Sequence, residues 1–324
     1  MLERLQVANW FRKPRESGGL LSLCPGARGI SAAFVRRATN DQPVLEWAEF
    51  VRTADTPSAR LTALEQLVKS HDLEGQRCTS LIGIGEYNLI LVETPDVPAS
   101  EMRQAVRWRV KDMIDFSVDE AAIDIFEVPS LKGGQDKLVY AVVAKSPPIR
   151  SLIKELSQCG VELETVDIPE FAIRNLIALM PEDVGGVAFI YLSEEVGLIT
   201  ITRQNALYLS RRFDYGRTRL LGSGANEVTP AVEGLLDAIV VEVQRSIDYY
   251  ESHFGQPPVQ GVVMAPLGKE FAGVSEYLGS QLGISTRVMG LAETIEMQTE
   301  VDDQQASECL CAIGAALRFG EAVL

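Results

Sequence analysis

The chain has 324 residues, enough for two domains, and its 46% hydrophobic and 23% charged residues are the balance of a soluble globular protein with ample material for a core. A net charge of −15 disfavours nucleic acid and anionic lipid as general partners, so a site for an acidic ligand would have to be local. No run reaches the ~20 apolar residues of a membrane span, residues 1–17 lack the apolar stretch of a signal peptide, and five scattered cysteines make no disulfide framework, which fits a reducing cytoplasm.

Residues 1–17 read as an appendage. Leu2, Leu5, Trp10 and Phe11 stand beside Arg4, Arg12, Lys13 and Arg15, a pattern open between a loose tail and a weak membrane-surface or partner-binding segment. Three strands are predicted next: Gly19–Leu23, a turn at Pro25-Gly26, then Ile30–Val35 and Val44–Arg52. Thr56–His71 is helical, with Leu61, Leu64, Leu67 and Val68 on one face. Strands follow at Thr79–Gly83 and Asn88–Glu93. A helix is predicted over Ser100–Phe116, where Met102, Val106, Val110 and Met113 make one stripe and Trp108 lies off it. Ala121–Val128 and Lys137–Ala144 are strands, Ser146–Gly160 a helix, Val161–Asp167 a strand and Pro169–Met180 a helix.

The second half repeats the opening. Gly186–Leu192, Gly197–Thr202 and Leu207–Phe213 are three apolar runs joined by short polar turns. Arg217–Glu227, rich in Gly and Ser, reads as a flexible loop. A long helix is predicted at Pro230–Phe254, capped by Thr229 with Pro230 at its first position. A strand at Gly261–Met264, a helix at Lys269–Gly283, a strand at Thr286–Val288 and a helix at Gln304–Arg318 complete the chain. Two halves, each a three-strand meander followed by alternating helices and strands, give the order of a duplicated α/β fold. Its sheets would be mixed, with the later strands added by right-handed crossovers.

Within Asn88–Val128, "LVETPDVPASEMRQAVRWRVKDMIDFSVDEAAIDIFEV" is the most specific stretch. With "VYAVVAKSPPIRSLIKELSQCGVELETVDIPEFAI", "EVQRSIDYYESHFG" and the terminal "AIGAALR" it resembles the PilM family of actin-like proteins of type IV pilus machines, over about residues 18–320. Absence of a span, and drift at the nucleotide site, suggest the MshI branch that serves MSHA-type pili. The resemblance implies an actin-like (ribonuclease H-like) fold of two lobes: residues 1–17 an appendage, 18–184 the first lobe with a small α/β subdomain inserted at about 95–160, and 185–324 the second lobe. It also implies a cytoplasmic scaffold at the inner face of the inner membrane. Such a scaffold would bind the cytoplasmic tail of a PilN-like membrane protein and other platform components, and associate with the membrane through them.

Actin-like ATPases hold phosphates between two β-hairpins carrying Asp-x-Gly turns, and the adenosine by a later Gly-rich turn. Here Cys24-Pro25-Gly26 and Tyr191-Leu192-Ser193 occupy the two Asp-x-Gly positions, Glu194 and Glu195 follow the second, and Gly268 ends Pro266-Leu267-Gly268 at the third. Both aspartates are gone, Pro25 lacks an N–H, and two carboxylates would repel a triphosphate unless metal or arginine intervened. The expectation is a degenerate site with no cofactor and no enzyme activity; the alternative is a Mg-ATP switch or weak ATPase in which Glu194 or Glu195 takes the metal. By the same resemblance the partner's tail docks in a groove between the first lobe and the inserted subdomain, and Arg103, Arg107, Trp108 and Lys111 are its candidate contacts. No metal centre is expected: His71 and His253 are far apart, and Cys309-x-Cys311 has no companion pair. There is no Walker loop and no Gly-x-Ser-x-Gly.

Overall fold

A computed structural model of the chain describes residues 18–37, 42–129, 138–222, 227–269 and 271–318. The appendage at 1–17 and the turn at 132–134 lie outside them.

The first sheet begins with a meander of β1 (Gly19–Gly26), β2 (Gly29–Arg37) and β3 (Pro43–Arg52), joined antiparallel. The turn is Ala27-Arg28, not Pro25-Gly26, and Pro25 stays in β1 opposite Ile30. A proline is tolerated there because β1 pairs with its other neighbour only at Leu21 and Ser22, so by Pro25 no ladder bond needs its missing N–H. Helix α1 (Pro57–Ser70) is capped by the Thr56 hydroxyl and crosses to β4 (Arg77–Leu81), parallel to β1. At its far end His71 stacks on Trp47 at 4.1 Å and bonds Glu49, a structural rather than a metal-ligating setting.

The chain then leaves the sheet through β5 (Tyr87–Glu93), α2 (Ala99–Val110), β6 (Ala121–Glu127) and β7 (Leu138–Lys145). These strands form their own three-stranded sheet, in the order β5-β7-β6. The insertion therefore spans 87–145. It does not extend to 160, because α3 (Ser146–Gln158) already places Leu156 in the core shared by β1, α1 and β4. Helix α2 is also shorter than Ser100–Phe116. A single 3-10 turn at Lys111–Met113 follows it, and Ile114 turns extended, which lets Ile114 and Phe116 pack under the small sheet. Strand β8 (Glu162–Asp167) then joins β4 in parallel, and α4 (Pro169–Ile177) leads out of the first sheet.

The second sheet repeats the first. Strands β9 (Val187–Leu192), β10 (Gly197–Arg203) and β11 (Ala206–Phe213) are an antiparallel meander. After it come α5 (Arg217–Leu221), α6 (Pro230–Phe254), β12 (Gly261–Met264), α7 (Val274–Leu282) and β13 (Thr286–Val288). Strand orders β3-β2-β1-β4-β8 and β11-β10-β9-β12-β13 are the same pattern twice, each a meander extended on one side by parallel crossovers. This is the actin-like, ribonuclease H-like duplicated fold. Residues 217–221, expected as loop, are helical, and Arg217 is buried.

The last elements return to the first lobe. Helix α8 (Leu291–Thr294) leads into β14 (Glu296–Met297), which pairs with β3, and α9 (Asp303–Ala316) lies across β1, β2 and β3 and against α4. Residues 296–316 therefore belong to the first lobe by packing, where the sequence expectation gives 185–324 to the second. The α4–α9 pair fills the space between the sheets, and one core joins Val35 and Leu45 to Phe189 and Val263 through Ile173, Leu176, Leu310 and Ile313. The inserted sheet packs one face on α2 and sends Tyr140 and Leu91 from the other to Tyr208 of the second lobe.

Candidate functional site

Two hairpin turns, Ala27-Arg28 of the first lobe and 193–196 of the second, meet at the inter-lobe cleft. The second is tightened by Ser193, whose N–H and hydroxyl both donate to the Val196 carbonyl (2.9 and 2.7 Å). The Ser193 and Glu194 carbonyls accept from the Arg217 and Thr218 N–H groups, which docks the turn on the start of α5. Gly216 permits that approach, since a Cβ there would lie 2.0 Å from the Glu194 carbonyl oxygen.

The docking brings four charges together. Arg217 bonds Glu194 at 2.5 Å and Glu308 of α9 at 2.8 Å, and it also donates to the Ser307 hydroxyl. Arg28 reaches the same two carboxylates at 2.7 and 3.0 Å. Thr218 donates to Glu194 and Gln304 to Glu308. Arg217 and Glu308 are buried, with side chains 9% and 6% exposed. Burial alone would push the Glu194 carboxyl up, but the charges and hydrogen bonds of Arg217, with Arg28 and Thr218, outweigh it and hold it below the usual range. Arg217 is likewise lowered by burial but raised overall by Glu308 and Glu194. Beside the cluster a cleft of about 290 Å³ is lined by Arg52, Leu221, Leu267 and Gln304.

The sequence candidates divide. Glu194 is central to the cluster; Ser193 shapes the turn; Glu195 is exposed; Gly26 borders the other turn; Gly268, at φ +85°, backs against Gln304 and Ser307. Cys24 and Tyr191 are not in the open cleft. Cys24 bonds Ser22 and packs with Cys311, Ala172 and Leu81 in the floor beneath, and Tyr191 joins Cys311 there. Burial pushes the Cys24 thiol up to about 11 and Cys311 to about 12, so both are neutral packing groups at neutral pH. Arg28, Arg217 and Glu308 were not among the candidates. The separation of 90 residues between Arg217 and Ser307 shows why: nothing local marks the pairing.

A second depression, about 240 Å³, lies between the inserted subdomain and the first lobe. Its walls are β6 with β8 and the start of α4, presenting Ile123, Phe126, Ile168 and Phe171; Arg103 and Asp124 are exposed at the edge, while Asp167 is buried and paired with Arg318. Both β6 and β8 are end strands of their sheets, so each has an unpaired backbone edge here. Of the four basic-helix candidates Arg103 lines this groove and pairs with Asp124 at 3.0 Å. Arg107 instead donates to the Val118 carbonyl, Trp108 is 64% exposed, and Lys111 lies over its ring at 5.6 Å.

Next to the groove Glu170, 2% exposed, accepts hydrogen bonds from Tyr87 of the insertion and Ser210 of the second lobe, tying three parts of the molecule at one carboxylate. Burial pushes its carboxyl above the usual range despite those donors. A raised folded value means that the folded state holds the proton more tightly, so this contribution to stability falls as pH rises from the ordinary carboxylate value through the folded one. Glu170→Gln should therefore gain in Tm relative to wild type between pH 5 and pH 8. Thermal unfolding across that range checks it, and an offset independent of pH would contradict the assignment.

No family profile and no curated sequence matches the chain. Among solved structures, one from the PilM–PilN type IV pilus biogenesis complex superposes with a TM-score of 0.75, covering 92% of this chain and 98% of that one at 17% identity. This chain shares its fold. Weaker similarities include the cytoplasmic domain of EpsL, an inner-membrane component of the Vibrio cholerae type II secretion system (TM-score 0.46, 13% identity, 90% and 93% covered). The ethanolamine utilization protein EutJ of Carboxydothermus hydrogenoformans is another (0.49, 12%, 94% and 91%). Among the described residues no helix is long and apolar enough to cross a membrane.

Proposed function

We propose that this chain is a cytoplasmic scaffold of a type IV pilus assembly platform, of the MSHA type, that holds the tail of a PilN-like inner-membrane protein. The observation that carries this reading is the groove between β6 and β8. It is apolar at its walls, charged at its rim and bounded by two unpaired strand edges, the features that hold an extended peptide. The likeness to a chain of the PilM–PilN complex over nearly its whole length supports it. The cleft supports a scaffold rather than an ATP-cycling enzyme. The positions that should carry water-bound Mg²⁺ are Cys24 and Tyr191, both turned into the floor, and the two hairpins are already bridged by Arg28 and Glu194. The donor set does not suit a Mg-nucleotide.

The test is a titration with an N-terminal peptide of the PilN-like protein from the producing cell. Micromolar binding, about −8 kcal/mol, is expected. Ala122→Trp, which fills the groove, should abolish it. Arg103→Glu should weaken it about tenfold at low salt and less at high salt, where charge contacts are screened. Wild-type affinity in both variants would put the partner on another surface.

A further inference from the structure

We infer that Arg28, Glu194, Arg217 and Glu308 form an intramolecular clasp that holds the two lobes together in the place where an actin-like ATPase would hold them with a bound nucleotide. The connectivity supports this. Arg28 stands on the β1–β2 turn and Glu308 on α9, both first lobe; Glu194 stands on the β9–β10 turn and Arg217 on α5, both second lobe. Two of the four ion pairs cross the cleft between unlike lobes in opposite senses, Arg28 to Glu194 and Arg217 to Glu308. The Arg217 to Ser307 bond crosses it as well. Each carboxylate takes both guanidinium groups, so two positive and two negative charges neutralise one another without metal or ligand.

The two crossing pairs differ: Arg28–Glu194 has side chains 39% and 34% exposed, whereas Arg217–Glu308 is enclosed. A pair with side chains 9% and 6% exposed is little screened, unlike a surface bridge. An ATPase needs its lobes to part so that nucleotide can exchange; here the closing charges are covalently part of the chain and cannot leave. The lobes are therefore expected to stay closed without any small molecule. This follows from the cleft alone and does not depend on what occupies the groove.

The floor of the cleft supplies a reporter. Cys311 is one helical turn beyond Glu308 on α9, and Cys24 lies near the end of β1, before the Arg28 turn; both pack between the lobes. Cys78, in contrast, is inside the first-lobe core. The experiment is timed labelling of the full chain with N-ethylmaleimide, read residue by residue by mass spectrometry. In wild type without nucleotide, the half-buried Cys24 and Cys311 should react slowly, though faster than the buried Cys78, and Mg-ATP should leave the rates unchanged. Arg28→Glu sets three carboxylates against one guanidinium at the rim. It should speed Cys24 and Cys311 about tenfold, the change expected when local opening is favoured by one decade, with Cys78 unaffected. The swap Arg28→Glu with Glu194→Arg should restore slow labelling. Unchanged rates in Arg28→Glu, a swap that does not restore them, or a wild type that closes only with Mg-ATP would each overturn the clasp. Should Arg28→Glu loosen the whole fold, so that Cys78 speeds up too, the milder Glu194→Gln replaces it; a parallel rise of Cys78 there also counts against the inference.

Discussion

Gly314→Ala is expected to destabilise the protein by about 3 kcal/mol, at the upper end of what one added methyl costs in a packed interior. Two effects oppose each other. In a helix, alanine is better than glycine by about 1 kcal/mol. At this position, however, the new Cβ would lie 2.1 Å from the carbonyl oxygen of Ala172 in α4, far inside contact distance, and the obstacle is backbone. Helix α9 would have to lift off α4, and with it would move the Asn175 side-chain bond to the Gly314 carbonyl and the core that joins both sheets. The clash outweighs the propensity gain. Gly234 in α6 supplies the control: a Cβ there meets nothing within 4 Å, so Gly234→Ala should stabilise by up to about 1 kcal/mol. Chemical denaturation of both variants decides the matter; opposite signs are expected, and a stabilised Gly314→Ala would mean that α9 does not lie this close to α4.

Arg217→Met should cost a similar amount, about 3 kcal/mol and so ~4 °C in Tm for a chain of this length, because breaking a buried ion pair strands the remaining charge. Glu308, 6% exposed, would keep the half-exposed Arg28 as its counter-charge and the Gln304 amide as a donor, and Glu194 would lose its charged partner on α5 while keeping the Thr218 hydroxyl. The loss should be recovered in part by adding Glu308→Leu, since removing the stranded carboxylate also removes its desolvation cost. The sign of the pH dependence follows from Glu194. Its folded value is depressed, so the stability it lends is present above the ordinary carboxylate value and is lost as pH falls through the folded one. Arg217→Met should therefore lie further below wild type at pH 7 than at pH 3. Melting curves at the two values measure this; a constant gap would show that Arg217 acts through packing alone.

Most secondary structure could be read from the chain because its signals are local. The stripe through Val232, Leu236, Ile239, Val243, Ile247 and Tyr250 specifies a 25-residue helix at Pro230–Phe254 whatever surrounds it. The two meanders are similarly marked by short apolar runs and polar turns, and their repetition gives the duplicated fold. That positions 24 and 191 hold Cys and Tyr, neither of them a carboxylate, is also read from sequence alone. What tertiary structure decided is everything that depends on distant partners. A two-residue strand such as Glu296–Met297 has no periodicity to read and exists only because β3 offers it an edge. Arg217 sits in a Gly- and Ser-rich stretch that looks like open loop. It becomes a buried helical residue because Glu194 and Glu308, far away in the chain, neutralise it. Arg107 and Arg103 are equally basic in sequence and four apart on one helix, yet the fold turns one to the Val118 carbonyl and the other to the groove. Local sequence sets which elements form, since backbone conformation and amphipathic period are short-range properties. Which charges meet is set by how the two sheets close on α4 and α9, and no window of the sequence contains both sides of that contact.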